Sequence, residues 1–299
     1  MRIAVTGQNG QVARALDEIA GRHGHEVVLL GRPALDLADP STIAPALRDA
    51  RVGAVINAAA YTAVDKAESE PDLAEAVNGA GAGAVAVAAA DLGLPVLQVS
   101  TDYVFDGTKP SPYVEEDAVG PLGAYGRSKL AGERAVAAAN PRHAILRTAW
   151  VYAPYGANFV RTMLRIAGSK SEVNVVADQR GCPTSALDIA TTLLGVAARL
   201  AEAPDDASLT GVFHMAARGE AVWADVAEAV FAASRAKGGP SATVHRITTA
   251  EFPTQAARPA NSRLDCAKLE RVYGLALPDW HGPLERTVSR LLNDAKSPG

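Results

Sequence analysis

The sequence predicts an α/β fold in which a doubly wound parallel sheet precedes a smaller C-terminal lobe. Short apolar runs alternate with longer alanine-rich segments of helical period, which is the order expected of strand–helix–strand units with right-handed crossovers. The apolar runs are nearly continuous and do not alternate with polar residues. Such runs are typical of a parallel sheet that is covered on both faces.

The first half of the chain supplies the predicted sheet and its covering helices. Pro71 begins one helical segment, and Gly93 followed by Pro95 ends it, as expected of helix start and stop signals. Strands are predicted at 2–6, 26–30, 54–57, 96–100 and 143–148. Helices are predicted at 11–22, 41–51, 72–92 and 125–139.

The regular alternation loosens after about residue 150. Segments 152–158 and 178–185 are rich in turn residues, and 252–262 contains too much proline for regular structure. Segments 185–200 and 222–234 have helical patterns. We therefore expect residues 1–150 to form the sheet domain, and 151–299 to form mainly a lobe that closes over the carboxyl ends of the strands. A later strand, near residues 212–215, is expected to return to the sheet.

Composition excludes several classes of function. The 299 residues carry a net charge of −4 without the basic stripe that binding to a nucleic-acid backbone requires. The two cysteines, Cys182 and Cys266, are too few for a disulfide scaffold and fit a reducing compartment. No signal-peptide pattern opens the chain, and the most apolar stretch, 80–90, is shorter than a membrane span. We expect a cytoplasmic protein with no membrane or nucleic-acid partner.

The turn between the first strand and the first helix resembles a dinucleotide-binding loop. Gly7 permits a tight turn, Gly10 lets the main chain approach a pyrophosphate, and the helix N-terminus offers free N–H groups to that anion. Ala13 replaces the third glycine of the usual spacing, which weakens the signal. Residues 1–150 are therefore predicted to be a dinucleotide-binding domain. The predicted cofactor contacts in the loop are Gly7, Gln8, Asn9, Gly10, Gln11 and Val12.

The end of the second strand predicts which dinucleotide is bound. No carboxylate occupies it, and Arg32 could instead pair with the 2′-phosphate of NADPH. The alternative for Arg32 is a solvated surface arginine, so NADPH is favoured and NADH is not excluded. Asp36 and Leu37 are spaced to contact the adenine. The cofactor cleft is expected to be lined, after the third strand, by Ala58, Ala59, Ala60, Tyr61 and Thr62.

The pentapeptide YGRSK places a phenol and an ammonium on one helix face. Tyr125 and Lys129 are four residues apart and should project together into the cleft. An ammonium beside a phenol stabilises the phenolate, so we expect Lys129 to lower the pKa of Tyr125 toward the working range. Lys129 could also hold the nicotinamide ribose. The spacing is common by chance, and its position in a dinucleotide fold is what favours the catalytic interpretation.

A hydroxyl at the end of the fourth strand would complete the site. It could donate to a substrate carbonyl oxygen and stabilise the alkoxide that forms there. Ser100 and Thr101 are both candidates, and they should point in opposite directions because side chains alternate along a strand. The one that faces away is expected to have a structural role.

Together these segments resemble the dTDP-4-dehydrorhamnose reductases, a family of Rossmann-type extended short-chain dehydrogenases/reductases. The glycine loop and the Tyr-x-x-x-Lys spacing indicate only the superfamily. The ordered set of the other segments is more specific, and the similarity runs over nearly the whole chain. The segments are 58–70, 100–105 (STDYVF), 125–133 (YGRSKLAGE), 147–152 (RTAWVY), 178–184 (DQRGCPT) and 258–264 (RPANSRL).

The resemblance implies a reaction and the roles of individual residues. NADPH would reduce the C4 keto group of dTDP-4-dehydro-L-rhamnose to give dTDP-L-rhamnose, a precursor of cell-surface polysaccharide. Thr101 would polarise the carbonyl, Tyr125 would donate the proton and Lys129 would activate Tyr125. The implied contacts to the substrate are Thr101, Asp102 and Trp150. Arg258 and Arg263, which flank Asn261, could meet its diphosphate.

One departure from the family concerns metal. Some members dimerise around Mg²⁺ that is held by glutamates, but Ala15 and Leu187 occupy the matching positions and cannot ligate a hard cation. We therefore predict no metal, and either a monomer or a homodimer without a metal bridge. Two alternative functions stay open: a reductase or epimerase of another nucleotide-bound 4-keto-6-deoxysugar, and a non-catalytic NADP-binding regulatory subunit.

Overall fold

A parallel sheet of six strands forms the centre of the protein. The computed structural model describes residues 1–296. The six strands are β1 (Arg2–Thr6), β2 (Glu26–Leu30), β3 (Ala54–Asn57), β4 (Val96–Thr101), β5 (His143–Thr148) and β10 (Gly211–His214). The strand order is β10-β5-β4-β3-β1-β2, and every neighbouring pair is parallel.

Helices cover both faces of this sheet, which confirms the doubly wound α/β prediction. On one face Leu16 and Leu193 pack into a fully buried apolar core, and on the other face Leu47 and Val85 do so. The helices that cover the sheet are α1 (Gln11–Ile19), α2 (Ile43–Ala50), α3 (Val64–Ala67), α4 (Pro71–Glu75), α5 (Ala82–Asp91), α6 (Ala124–Ala139), α8 (Ala186–Glu202) and α10 (Ala267–Tyr273).

The helix predicted at 72–92 is continuous but changes its winding. A π-helical segment, Ala76–Gly81, joins α4 to α5. The stretch Pro71–Asp91 is long and apolar enough to cross a membrane by composition alone, but half of its most apolar window is buried inside the fold. A core helix passes the same test, and its buried side packs here against α6.

The remaining elements form a second apolar core. Its centre includes Val160, Phe231 and Val288. Three two-stranded sheets accompany it. Its elements are β6 (Val151–Tyr152), α7 (Phe159–Ala167), β7 (Glu172–Val176), β8 (Arg180–Gly181), β9 (Thr184–Ser185), β11 (Ala221–Val222), α9 (Trp223–Arg235), β12 (Thr243–Ile247) and α11 (His281–Lys296).

The core on the sheet face that contains Leu16 and Leu193 is called the first core below. The segments that build the first core and the second core are interleaved in sequence. The strand predicted near 212–215 is β10, which pairs with β5 at the edge of the sheet, and α8 and α10 also pack on the first core. The division at residue 150 therefore stays a prediction, and the packing assigns more of the later chain to the sheet than that division does. The carboxyl ends of β1, β3, β4 and β5 all lie at one edge of the sheet, where open α/β sheets bind their ligands.

Candidate active site

The loop between β1 and α1 has the geometry of an anion site. Gly7 has φ +92°, and its N–H donates to the carbonyl oxygen of Leu30 at 2.6 Å. Gly10 is the N-cap of α1, and among the described residues no side chain caps this helix end. A Cβ placed on Gly10 would meet no atom within 4 Å, so the space beside these free N–H groups is open. This cradle fits the pyrophosphate of a dinucleotide.

The other loop residues have distinct environments. Gln8 and Asn9 are exposed, and Val12 is half-buried. Gln11 accepts a hydrogen bond from Asn158 Nδ2 at 2.9 Å, which connects the loop to the second part of the chain. Ala13 is 2% exposed within the first core. Its methyl group fills space between helix and sheet, so the missing third glycine is compatible with the fold.

Of the residues predicted to contact the adenosine part of the cofactor, one is exposed and another is buried in the core. Arg32 is exposed just after β2, so its guanidinium can be reached by a ligand. Leu37, by contrast, is 4% exposed and packs with Leu47 and Val85 in the core on the other face of the sheet. The carboxylate of Asp36 accepts from Ala38 N. Contacts of Asp36 and Leu37 with adenine stay a prediction, and the structure shows that both residues also stabilise the loop after β2.

The segment after β3 lies beside the glycine loop. Ala58, Ala59 and Ala60 are half-buried, and Thr62 is exposed. Ala59 N donates to Thr6 Oγ1 at 3.0 Å, and the methyl group of Ala59 lies 3.4 Å from the position that a Cβ on Gly7 would take. The N–H of Tyr61 donates to Asn78 Oδ1 at 2.8 Å. These contacts place the small residues against the anion loop, as expected of a cleft wall.

Tyr125, Lys129 and Thr101 come together at the carboxyl edge of the sheet. Tyr125 and Lys129 are one helical turn apart on α6, and α6 packs on β4, which ends at Thr101, close enough to Tyr125 for its hydroxyl to lower the pKa of the phenol. Lys129 is 3% exposed, and its Nζ donates to the carbonyl oxygen of Val99 at 2.7 Å. The ring of Tyr103 lies edge-on to Tyr125, with 5.5 Å between the ring centroids.

The predicted direction of the Tyr125 pKa is wrong for this structure. Burial raises the pKa of Tyr125 well above its ordinary value, and only the hydrogen bond with Thr101 opposes this shift. The ammonium of Lys129 is directed to the carbonyl of Val99 and not to the phenol. Burial also lowers the pKa of Lys129 to about 8. Tyr125 is therefore a protonated phenol at neutral pH.

The two candidate hydroxyls have different partners in the structure. Ser100 Oγ donates to Glu133 Oε1 at 2.6 Å, on the side of β4 that faces α6. Thr101 Oγ1 accepts from Tyr103 N and donates to Asp102 Oδ1 at 2.9 Å. Thr101 is thus the hydroxyl beside Tyr125, and Ser100 has a structural partner.

Asp102 is a buried carboxyl next to the Thr101 hydroxyl. It is 2% exposed, and burial raises its pKa to about 6, although the hydrogen bond from Thr101 lowers it. A carboxyl of this kind can change its charge near neutral pH. Its predicted contact with substrate remains untested.

Trp150 is held in an unusual conformation by an aromatic cluster. Its φ is +48°, a region that a residue with a bulky side chain rarely adopts. Its indole stacks on Trp223, with 3.6 Å between ring centroids and 8° between planes, and Phe159 packs on Trp223 at 4.7 Å. A Cβ on Gly181 would lie 2.3 Å from Trp150 Cε2. The sequence analysis identified Trp150 but missed Trp223 and Gly181, because no local pattern indicates a stacking partner 73 residues away.

Arg258 lies near the site and is bound to a carboxylate of α3, the short helix that follows β3. Its Nη2 is 2.7 Å from Asp65 Oδ2, and Asp65 Oδ1 also accepts from Ala256 N. The guanidinium lies 5.9 Å from the centroid of the Tyr103 ring. The 252–262 loop is therefore attached to the segment after β3, beside the predicted catalytic tyrosine.

Asn261 and Arg263 use their polar groups within the protein. The amide of Asn261 donates to the carbonyl oxygens of Lys109 and Ser111, and its Oδ1 accepts from Arg263. Arg263 is 8% exposed, and its Nη1 lies 2.6 Å from Glu220 Oε2. The structure does not bring these two side chains to an open surface of the site with unpaired groups. Their assignment to the diphosphate stays a prediction, with a structural role now visible.

Two positions, Ala15 and Leu187, led to the prediction that no metal is bound. Ala15 is fully buried in the first core, and Leu187 is half-buried against it. Within residues 1–296 there is no group of three or more His, Cys, Asp or Glu side chains arranged to hold a metal ion.

Comparisons with known proteins agree over nearly the whole chain. Residues 1–293 match the family model described as the RmlD substrate binding domain. A dTDP-4-dehydrorhamnose reductase of Sinorhizobium fredii is 55% identical over 296 residues, covering 99% of each chain.

Solved structures give the same result. A dTDP-4-dehydrorhamnose reductase of Clostridium acetobutylicum has a TM-score of 0.88 at 37% identity, covering 98% of this chain and 100% of that one. One from Bacillus anthracis in complex with NADP has a TM-score of 0.87 at 35% identity, covering 96% and 98%.

Proposed function

This chain belongs to the RmlD substrate binding domain family, and from that premise we propose that it is an NADPH-dependent dTDP-4-dehydrorhamnose reductase. It reduces the C4 keto group of dTDP-4-dehydro-L-rhamnose to a hydroxyl and so forms dTDP-L-rhamnose for cell-surface polysaccharide. The observation that carries the proposal is that Tyr125 and the buried Lys129, one helical turn apart on α6, lie against the end of β4, where Thr101 is placed. We place the enzyme in the cytoplasm, as a monomer or a homodimer without a metal bridge.

The protein's own residues supply the proton and stabilise the oxygen. Tyr125 is a protonated phenol at neutral pH, and burial raises its pKa further; it donates its proton to the carbonyl oxygen as that oxygen gains charge. The Thr101 hydroxyl, which donates to Asp102 Oδ1 in this structure, turns its proton to the same oxygen and stabilises the developing alkoxide. Trp150 offers an indole face to the sugar nucleotide, and Asp102 offers a carboxyl next to Thr101.

Other residues would hold the cofactor, and NADPH would supply hydride for the C4 carbon when bound. The N–H groups at the start of α1 would hold the pyrophosphate, and Arg32 would pair with the 2′-phosphate. Lys129 would bind the nicotinamide ribose, and the small residues Ala58, Ala59 and Ala60 would leave room beside it. NADH lacks the 2′-phosphate, so it is expected to bind more weakly.

The test is turnover with purified protein and a panel of thymidine-diphosphate keto-sugars. We expect NADPH to be oxidised in a one-to-one ratio with the reduced sugar nucleotide, most rapidly with dTDP-4-dehydro-L-rhamnose. An epimerase would change the sugar without net oxidation of NADPH, and a regulatory subunit would bind NADPH without turnover. Either of these results would contradict the proposed reaction.

A further inference from the structure

A buried carboxylate connects the helix that carries Tyr125 and Lys129 to two strands of the sheet. Glu133 Oε1 accepts from Ser100 Oγ at 2.6 Å and from Arg147 Nε at 2.9 Å. Glu133 Oε2 accepts from Arg147 Nη2 at 2.7 Å. The side chains of Glu133 and Arg147 are each 4% exposed. Nothing in the reaction described above uses Glu133, so its burial calls for another explanation.

The register of the sheet gives this cluster its geometric meaning. Ser100 on β4 pairs with Arg147 on β5, and the next register pair is Thr101 with Thr148. The carboxylate of Glu133 therefore binds β4 and β5 at the register pair that directly precedes Thr101, the proposed carbonyl-polarising residue. On α6 the carboxylate comes one helical turn after Lys129, so both residues project from the same side of the helix.

We propose that Glu133 is a positioning residue, which fixes α6 on β4 and β5 so that Tyr125 meets Thr101, and which keeps Lys129 in its charged form. The proposal rests on the proposed reductase function. The bidentate contact with Arg147 fixes the orientation of the carboxylate, because a planar guanidinium matches a carboxylate in only a few geometries. Replacing the carboxylate of Glu133 with a neutral group therefore changes both the alignment of α6 on the sheet and the charge near Lys129.

The charge affects Lys129 in a defined direction. Burial lowers the pKa of Lys129 to about 8, and the negative charge of Glu133 raises it. The other ionisable groups on the elements that pack on α6 are Asp65, Lys66, Asp72, Glu75, Asp91, Asp102, Tyr103, His143 and Arg147. Burial and Glu133 account for the shift in the pKa of Lys129. Without Glu133 the ammonium would lose its proton at a lower pH.

The decisive variant is Glu133→Gln, which keeps the size of the side chain and removes its charge. We expect the alkaline limb of kcat/KM to move down by about one pH unit, the usual effect of one close opposite charge. At pH 8 the charged fraction of Lys129 should fall from about one half to about one tenth, so kcat should fall by about fivefold, and most of this loss should be recovered at pH 6.5. A loss that is equal at all pH values would overturn the role in keeping Lys129 charged.

A direct titration separates this proposal from the proposed function. The pKa of Lys129 can be followed by NMR of labelled lysine, with its signal assigned by its absence in Lys129→Met. We expect a lower pKa in Glu133→Gln than in the wild type, and an unchanged pKa would refute the charge effect. This measurement needs no turnover, so a wild-type protein that failed to reduce the sugar nucleotide would count against the reaction alone.

Two further variants cover the case in which Glu133→Gln does not fold, since it leaves Arg147 buried without a counter-charge. The double variant Glu133→Gln/Arg147→Met removes both charges, and the pKa of Lys129 should again fall. Ser100→Ala keeps the ion pair but removes the bond to β4, and kcat should fall with an unchanged pH profile. An unchanged kcat in Ser100→Ala would overturn the alignment role.

Asn140→Ala is the matched control at the other end of the same helix. Asn140 is 2% exposed, and its amide donates to the carbonyl oxygen of Leu94 at 3.0 Å. The variant should lower the melting temperature, as loss of a buried hydrogen bond does, while the pH profile stays that of the wild type. A shifted profile in this control would show that destabilising α6 is enough to produce the effect, and would overturn the specific role of Glu133.

Discussion

At the scale of single residues, burial determines the chemistry of the site more than neighbouring charges do. It raises the pKa of Tyr125 and lowers that of Lys129 to about 8, because a low-dielectric environment disfavours whichever form is charged. A reduction needs a phenol that holds its proton until the carbonyl oxygen gains charge. The raised pKa of Tyr125 fits this requirement.

Replacing Tyr125 tests the proton donor. In Tyr125→Phe we expect kcat to fall by about 10²-fold or more, the usual size of a general-acid contribution, while the dissociation constant of NADPH stays unchanged. Steady-state kinetics and fluorescence titration measure the two quantities. The control is Tyr273→Phe, which removes a hydroxyl that is bonded to the carbonyl of Leu209 outside the site and should keep normal turnover. A near-normal rate in Tyr125→Phe would exclude it as the donor.

Replacing Arg32 tests the preference for the cofactor. Loss of a charge-assisted contact to the 2′-phosphate should weaken NADPH by about tenfold and leave NADH nearly unaffected. Calorimetric titration with both dinucleotides measures this. Arg48→Ala, which removes another exposed arginine of the same domain, should change neither constant. Equal losses of NADPH and NADH in Arg32→Ala would remove Arg32 from the phosphate site.

Asp102 predicts how stability depends on pH. Its pKa is raised to about 6 in the folded protein, so the folded state holds a proton that the unfolded state has already released. The free energy of unfolding therefore falls as pH rises from the ordinary carboxyl range through about 6. Asp102→Asn should remove this loss of unfolding free energy. At pH 8 the variant should be more stable than the wild type by about 1–3 kcal/mol, and at pH 5 its advantage should be smaller.

Urea denaturation at the two pH values measures this difference. Asp106→Asn is a control of opposite sign, because hydrogen bonds from Thr108 and Tyr113 lower the pKa of Asp106. Its ionised form stabilises the fold, so that variant should lose stability at pH 8. An Asp102→Asn variant that gained no stability at pH 8 would disprove the effect of the buried charge.

At the scale of secondary-structure elements, short segments of the second core place Trp150. The residue follows β5 in the left-handed region, its indole lies between β8 and the start of α9, and it stacks on Trp223. A rigid stacked pair presents a fixed aromatic face at low entropic cost. The second core thus determines the orientation of Trp150, a predicted substrate contact that follows β5 of the central sheet.

Gly181→Ala tests this arrangement without removing a functional group. The added methyl would overlap the indole, whose Cε2 lies 2.3 Å from the Cβ position, so Trp150 must shift. We expect the KM for the sugar nucleotide to rise about tenfold, which is about 1.4 kcal/mol, with unchanged NADPH affinity and an altered near-ultraviolet dichroism of the indole pair. Gly21→Ala, with no atom within 4 Å of the added Cβ, is the control. Unchanged KM and dichroism in Gly181→Ala would contradict the positioning of Trp150 by this cluster.

At the scale of the whole molecule, two cores meet around the carboxyl edge of the sheet. The ion pair Arg258–Asp65 and the hydrogen bond from Asn158 to Gln11 connect the later chain to the cofactor side. Both contacts join protein groups directly. The positions where some family members use glutamates for a metal bridge are apolar here and at least partly buried.

Removing divalent metal tests the prediction for the whole assembly. Addition of chelator or omission of Mg²⁺ should leave both turnover and native mass unchanged, because Ala15 and Leu187 offer no oxygen ligand. Light scattering and the oxidation assay measure the two properties with and without Mg²⁺. A dimer that dissociates on chelation would show that a metal bridge is built from other residues.

The sequence by itself determined the sheet and most of its helices, and it nominated the candidate reactive groups. Apolar runs and helical periodicity are local patterns, and they predicted β1, β2, β3 and β5 with their observed bounds. The short strands β7 and β12 and the helix α11 were missed, since their patterns are weak without the partners they pack against. The spacing of Tyr125 and Lys129, together with its position in a dinucleotide fold, was enough to nominate them as candidates.

Only the tertiary structure decided what each of these groups experiences. It turned Thr101 toward Tyr125 and Ser100 toward Glu133, reversed the expected pKa shift of Tyr125, and enclosed Arg263 among protein partners. These outcomes depend on burial and on contacts between residues that are far apart in sequence. A local pattern records residue type and spacing, but not the dielectric environment or the distant partner that determines proton affinity and orientation.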